Sequence, residues 1–182
     1  NGLTQRGIDL LFVTSLIMQE SSCRHEQPND QGLMQVVSCR KDYCTLRENI
    51  NRGTRELAEN VDFMTQRGVT GKDALTFTLF AYNRGKRTAE KAIENFRHGM
   101  PIEEAMYSAC EEVFTPLIEK SIANCGGFNV EACCGKPGTK TNLQTRRVTN
   151  SDGRGLGADY PRHILEKYYY PACANVQSQA VA

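Results

Sequence analysis

The sequence predicts a mostly α-helical, disulfide-bonded single domain, and three observations carry that expectation. Apolar residues recur at helical spacing and the runs close on glycines; eight cysteines are spread along the chain; and one stretch of about thirty residues has neither periodicity nor apolar density. A chain of 182 residues is about one domain by length, and it is long enough to bury roughly 70% of its unfolded surface without help. Cysteines in such a chain therefore point to an oxidising compartment rather than to a packing need.

The first helix is expected from Thr4, with Ile8, Leu11, Phe12 and Leu16 on one face and Leu10, Val13 and Ile17 on another. That double stripe predicts a central helix wrapped on most sides. Carried one turn beyond Ile17, the second stripe reaches Glu20, a carboxylate turned toward the core and partly buried. A second, amphipathic helix is read in "NINRGTRELAENVDFMTQRG" from Ile50, Thr54, Leu57, Val61 and Met64, with Gly68 as its stop. The third, "KDALTFTLFAYNRG", sets Leu75, Thr78, Leu79 and Tyr82 on one face, widened by Phe77, Phe80 and Ala81, and ends at Gly85. "TAEKAIENFRHGM" follows with Ala89, Ile93 and Phe96 and stops at Gly99, after which Pro101 opens a helix through Ile102, Ala105, Met106 and Ala109.

Pro116 breaks that helix, and Thr115 is expected to cap a short one over residues 117–124 that ends at Gly126 and Gly127. From Phe128 to Ala158 the chain reads as loop or a poor hairpin. Asp159 and Pro161 then start a last helix, "YPRHILEKYYY", with Ile164, Leu165 and Tyr168 inward. One domain is expected over 1–173 and a frayed tail over 174–182.

Charge and composition narrow the function. A formal charge of +1 provides no basic field for nucleic acid, and the longest apolar tract is far shorter than the roughly 18 residues of a membrane span. "NGLTQRG" has no signal-peptide pattern, so a soluble, mature chain is expected; the cysteines add the expectation that it is secreted and extracellular, and it is expected to be a monomer. Cys39 and Cys44 in "CRKDYC", with His25 nearby, could build a zinc site, but paired C-x-x-C spacing is missing and no metal or organic cofactor is expected. The pairing of Cys23, Cys39, Cys44, Cys110, Cys125, Cys133, Cys134 and Cys173 is left open by sequence, although adjacent Cys133 and Cys134 should take different partners. His25, His98 and His163 read as surface or helix-end residues.

The ordered set "ESS" at a helix end, "GLMQV" (32–36), "ENINRGTREL" and "AYNRG" (81–85) resembles the motifs of goose-type lysozymes and soluble lytic transglycosylases of the lysozyme superfamily. Taken alone, "GLMQV" could be a short strand and Glu20 an ordinary helix-end residue. The resemblance covers Ile8 to Gly85, extends more loosely to "YPRHIL", and finds no motif between Lys86 and Ala158. The compact stretch "QESSCRHEQPNDQGLMQ" is also similar to short cell-wall lysozymes, and the cysteines suit a secreted, fungal-type muramidase.

The resemblance implies an α+β lysozyme-like fold with a substrate cleft, and peptidoglycan glycan strands as partner. Glu20 becomes the general acid; a carboxyl among Leu16, Ile17 and Met18 should also be desolvated and hold its proton near neutral pH. Tyr82 and Asn83 line the cleft, Met34 and Gln35 form its opposite wall, Ser21 and Ser22 open the loop that shapes it, and Tyr160 precedes the last helix. For a second carboxylate the family's loop positions give Glu26 and Asp30, with Asp42 and Glu48 behind them; a solvated charge is the alternative for each. Val37 occupies the position where related lysozymes can carry an aspartate.

The implied reaction is hydrolysis of the β-1,4 bond between N-acetylmuramic acid and N-acetylglucosamine. Its rivals are 1,6-anhydro ring closure by a lytic transglycosylase, cleavage of chitin or chitosan, and a glycan-binding module without chemistry.

Overall fold

A computed structural model describes residues 4–23, 31–39, 44–110, 112–113 and 160–173. These residues are mostly helical, and no strand occurs among them. The chain divides into two compact units, Asn1–Tyr82 together with Pro161–Ala182, and Asn83–Tyr160. The expected features at Thr115, Pro116, residues 117–124, 128–158, Asp159 and 174–182 lie outside the described residues.

In the first unit a single 3₁₀ turn, Thr4–Arg6, is closed by Gly7 at φ 74°. Helix α1 then runs over Leu10–Ser21, with Asp9 as N-cap accepting from the Phe12 amide at 2.8 Å. The start is therefore later than the Thr4 expected from periodicity. Ile8 is buried all the same, ahead of the cap rather than inside the helix.

As expected, α1 is wrapped on most sides: Phe12, Val13 and Leu16 are buried and Leu11 and Ile17 half-buried, whereas Leu10 is 80% exposed. The expected second apolar face fails at Leu10 because the cap at Asp9 makes it the first helical residue, beyond the packed turns.

Helix α2 spans Leu46–Gln66 and begins at a capping box, where Thr45 and Glu48 each satisfy the other's backbone amide. This explains a start four residues ahead of Ile50, the first apolar-periodic position. Its buried face holds Leu57, Val61 and Met64 as expected, and also Asn49, Gly53 and Asn60, which apolar counting overlooks. Arg6 in the opening turn is bound to Asp62 of α2 through two hydrogen bonds of 2.6 and 2.9 Å.

Helix α3, Gly71–Arg84, buries Phe77, Thr78, Leu79, Phe80 and Ala81. Gly68, Gly85 and Gly99 all adopt positive φ at the helix ends where they were expected as stops.

The C-terminal segment returns to α1. Helix α6 covers Tyr160–Ile164 and passes into a π-helical turn, Leu165–Tyr169, closed by the Tyr170 amide on the Leu165 carbonyl. Ile164 and Leu165 are buried as expected. Tyr168, expected to face inward, is half-buried, and the aromatic that meets α1 is its neighbour Tyr169. Its ring stands edge-on to Phe12 at 5.4 Å between centroids, and its hydroxyl donates to Asp9 at 3.0 Å. A π-turn inserts one residue into the helical register, which advances the inward position by one.

The second unit contains helix α4, Lys86–Arg97, and helix α5 over residues 102–110. Ala89, Ala92, Ile93, Ala105, Met106 and Ala109 are buried there. Lys91 bridges Glu94 at 2.9 Å and Glu112 at 3.3 Å, and Asn95 donates to Glu112 at 3.3 Å.

Among the described residues one disulfide, Cys39–Cys44, ties the segment before α2 to the residue ahead of its cap. Both cysteines are thereby taken from the zinc site considered above. Cys125, Cys133, Cys134 and His25 lie outside the described residues, while Cys23 and Cys173 stand as thiols.

Candidate active site

Three elements of the first unit build the site, and the turn over Gly32–Gln35 is at its centre. "GLMQV" is not a strand: the Gln35 amide donates to the Gly32 carbonyl and the Val36 amide to the Gln31 carbonyl, each at 3.1 Å. Helix α2 holds this turn through Asn49. Its buried side chain accepts from the Met34 amide at 2.7 Å and donates to the Gln31 carbonyl at 2.7 Å, satisfying two turn groups at once.

Two glycines make the approach possible. A Cβ on Gly32, whose φ is 73°, would lie 2.6 Å from the Asn49 side chain, and one on Gly53 would lie 2.5 Å from the Met34 sulfur. Gly53 costs α2 about 1 kcal/mol of helix propensity relative to alanine. The return is a seat for Met34, whose side chain has no solvent exposure. Met34 thus offers the site its backbone rather than its side chain.

Tyr82, near the end of α3, reaches that backbone. Its hydroxyl donates to the Met34 carbonyl at 2.8 Å. A phenol has one proton, so toward any further group the Tyr82 oxygen can only accept. Its ionisation is pushed far above the ordinary tyrosine range by burial, then by the Glu56 carboxylate, then by the Glu20 carboxylate. The phenol therefore stays neutral at physiological pH, and two acidic groups share its surroundings.

Glu20 is the penultimate residue of α1 and is half-buried, as the position on the stripe requires. Ser21 is buried and its hydroxyl donates to the Ile17 carbonyl at 3.1 Å; Ser22 is exposed and caps α1 in the left-handed conformation. Among the described residues, the non-glycine positions at positive φ are Ser22, Cys23 and Gln35, at 53°, 61° and 52°. Each such conformation costs about 1–2 kcal/mol, and such costs collect where a backbone is held for a purpose. Here they collect just after Glu20 and just after Met34.

The remaining candidates fall as follows. Gln35 is half-buried and its side-chain Nε2 donates to the Gly32 carbonyl at 2.8 Å. Asn83 begins the second unit, and its side-chain oxygen is buried and accepts no hydrogen bond. Tyr160 is buried in the second unit. Glu26, Asp30 and Asp42 lie outside the described residues. Glu48 is occupied by the cap, accepting from the Thr45 amide and hydroxyl at 2.8 Å each. Val37 is 74% exposed.

Asn49, Gly53 and Glu56 were not singled out by the sequence reading. Their signal was the spacing itself: with Leu57 and Asn60 they fall on one face of α2 at helical intervals, polar and small where an apolar stripe would be expected.

Among the described residues no group of three or more His, Cys, Asp or Glu is gathered as a metal site, and no helix is long and apolar enough to cross a membrane. The chain matches no protein-family model, no curated protein and no solved structure.

Proposed function

We propose that the protein is a secreted N-acetylmuramidase with a lysozyme-like fold, hydrolysing the β-1,4 bond between N-acetylmuramic acid and N-acetylglucosamine in peptidoglycan. The observation that carries the reading is the neutral Tyr82 phenol, bonded to the Met34 carbonyl within the field of Glu20. It links three of the four motifs that resemble the lysozyme superfamily, and Asn49 links the fourth to the same turn.

In this reading Glu20 protonates the glycosidic oxygen, so that the departing sugar leaves as a neutral alcohol. Tyr82, its proton committed to Met34, accepts a hydrogen bond from the protonated Glu20 or from a sugar hydroxyl. The left-handed backbone at Ser22, Cys23 and Gln35 lies beside Glu20 and Met34 in sequence, where strain collects at held positions. The Cys39–Cys44 bond suits action outside the reducing interior of a cell.

The test is digestion of purified peptidoglycan followed by mass spectrometry of the released muropeptides. Reducing ends are expected. A predominance of ends lighter by one water would replace the hydrolase by a lytic transglycosylase, and cleavage of chitin oligomers alone would move the substrate class. Binding without any cleavage would leave a glycan-binding module.

A further inference from the structure

The muramidase reading leaves open what activates the water, and the face of α2 that carries Asn49 and Gly53 supplies a candidate. Asn49 holds the Met34 amide and Gly53 seats the Met34 side chain, so this face of α2 lies along the turn whose carbonyl receives the Tyr82 hydroxyl. Glu56 is one helical turn beyond Gly53 and two turns beyond Asn49 on that face, and it is half-buried.

We propose that Glu56 is the second carboxylate of the active site, the base that takes a proton from the water attacking the anomeric carbon. This inference rests on the muramidase reading and deepens it. The electrostatics agree with the placement, since the Glu56 charge weighs on the Tyr82 phenol more heavily than that of Glu20.

The step balances without any further reactant. Glu20 gives its proton to the glycosidic oxygen as the bond to the anomeric carbon breaks and its electron pair goes to that oxygen. Water adds its oxygen to the anomeric carbon and yields a proton to Glu56. Glu20 ends ionised and Glu56 protonated, and solvent exchange restores both. Two carboxylates in one neighbourhood repel less when one holds the proton and the other does not, and this is the division an acid and a base require.

Glu48 is bound in a cap and Val37 carries no charge, while Glu26, Asp30 and Asp42 lie outside the described residues. Glu56 presents its carboxylate from helix α2.

The experiment compares wild type, Glu20→Gln, Glu56→Gln and Glu56→Ala on purified peptidoglycan, counting reducing and anhydro ends separately, with thermal unfolding of each variant. Glu56→Gln should lower reducing ends about 10²-fold, with anhydro ends lowered less, and Glu20→Gln should lower both. Azide added to Glu56→Ala should restore turnover at least about tenfold and release a glycosyl azide, a signature that a packing role cannot produce. If Glu56→Gln stays within about threefold of wild type while Glu20→Gln is inactive, Glu56 is not the base and the muramidase reading stands. A wild type that releases no sugar ends overturns both. If Glu56→Gln unfolds, the azide arm decides: no rescue and no glycosyl azide from a folded Glu56→Ala counts against the proposal.

Discussion

The Tyr82 hydroxyl donates a 2.8 Å hydrogen bond to the main-chain carbonyl of Met34, joining residues 48 apart in sequence. Through it the end of α3 fixes a turn that has no regular secondary structure of its own. Tyr82→Phe removes the donor and keeps the ring, leaving a withdrawn carbonyl without this partner. Unfolding in urea should show a loss of about 1–3 kcal/mol. Turnover should fall about tenfold, because the turn would no longer be held in one geometry.

Asn49 satisfies both ends of the same turn, and an aspartate cannot do the same. A carboxylate could still accept from the Met34 amide, but it has no proton for the Gln31 carbonyl. Asn49→Asp should destabilise by about 3 kcal/mol in chemical denaturation, near the upper end for one buried group left unpaired.

Gly53 offers a test of sign. In an open helix interior, Gly→Ala stabilises by about 1 kcal/mol. Here the added methyl meets the Met34 side chain, so Gly53→Ala should cost about 1–3 kcal/mol by overpacking. Combined with Met34→Ala, the penalty of the Gly53 change should disappear, and a double-mutant cycle measures that coupling.

Alkaline pH should unfold the protein through its tyrosines. Tyr82 is raised above its ordinary range by burial, then Glu56, then Glu20; Tyr169 is raised by burial, then by its bond to Asp9. Between the unfolded value near 10 and the higher folded value, the folded chain keeps a proton that the unfolded chain has lost. Stability is therefore complete below about pH 10 and falls as pH rises beyond it. Urea unfolding from pH 8 upward should show that fall, and a shallower one in Tyr82→Phe.

Much of this arrangement is legible in the amino-acid sequence. Helix stops at Gly68, Gly85 and Gly99 were plain because left-handed backbone selects glycine, and Glu20 was placed at the half-buried end of α1 by extending an apolar stripe. Other features were hidden for physical reasons. Periodicity does not register a cap, so it ran α1 back through Gly7 to Thr4 and turned Leu10 inward. The extra residue of the π-turn, which brings Tyr169 rather than Tyr168 to Phe12, has no local signature. Asn49, Gly53 and Glu56 escaped because apolar counting discards polar and small residues, and their work is done against a turn remote in sequence.

The central claim is that Glu20 delivers the proton. The most direct measurement is the rate of sugar-end release from purified peptidoglycan by wild type and Glu20→Gln, with the unfolding midpoint of each. A fall of at least about 10²-fold with the fold intact is expected. A folded Glu20→Gln that releases sugar ends at the wild-type rate would contradict it.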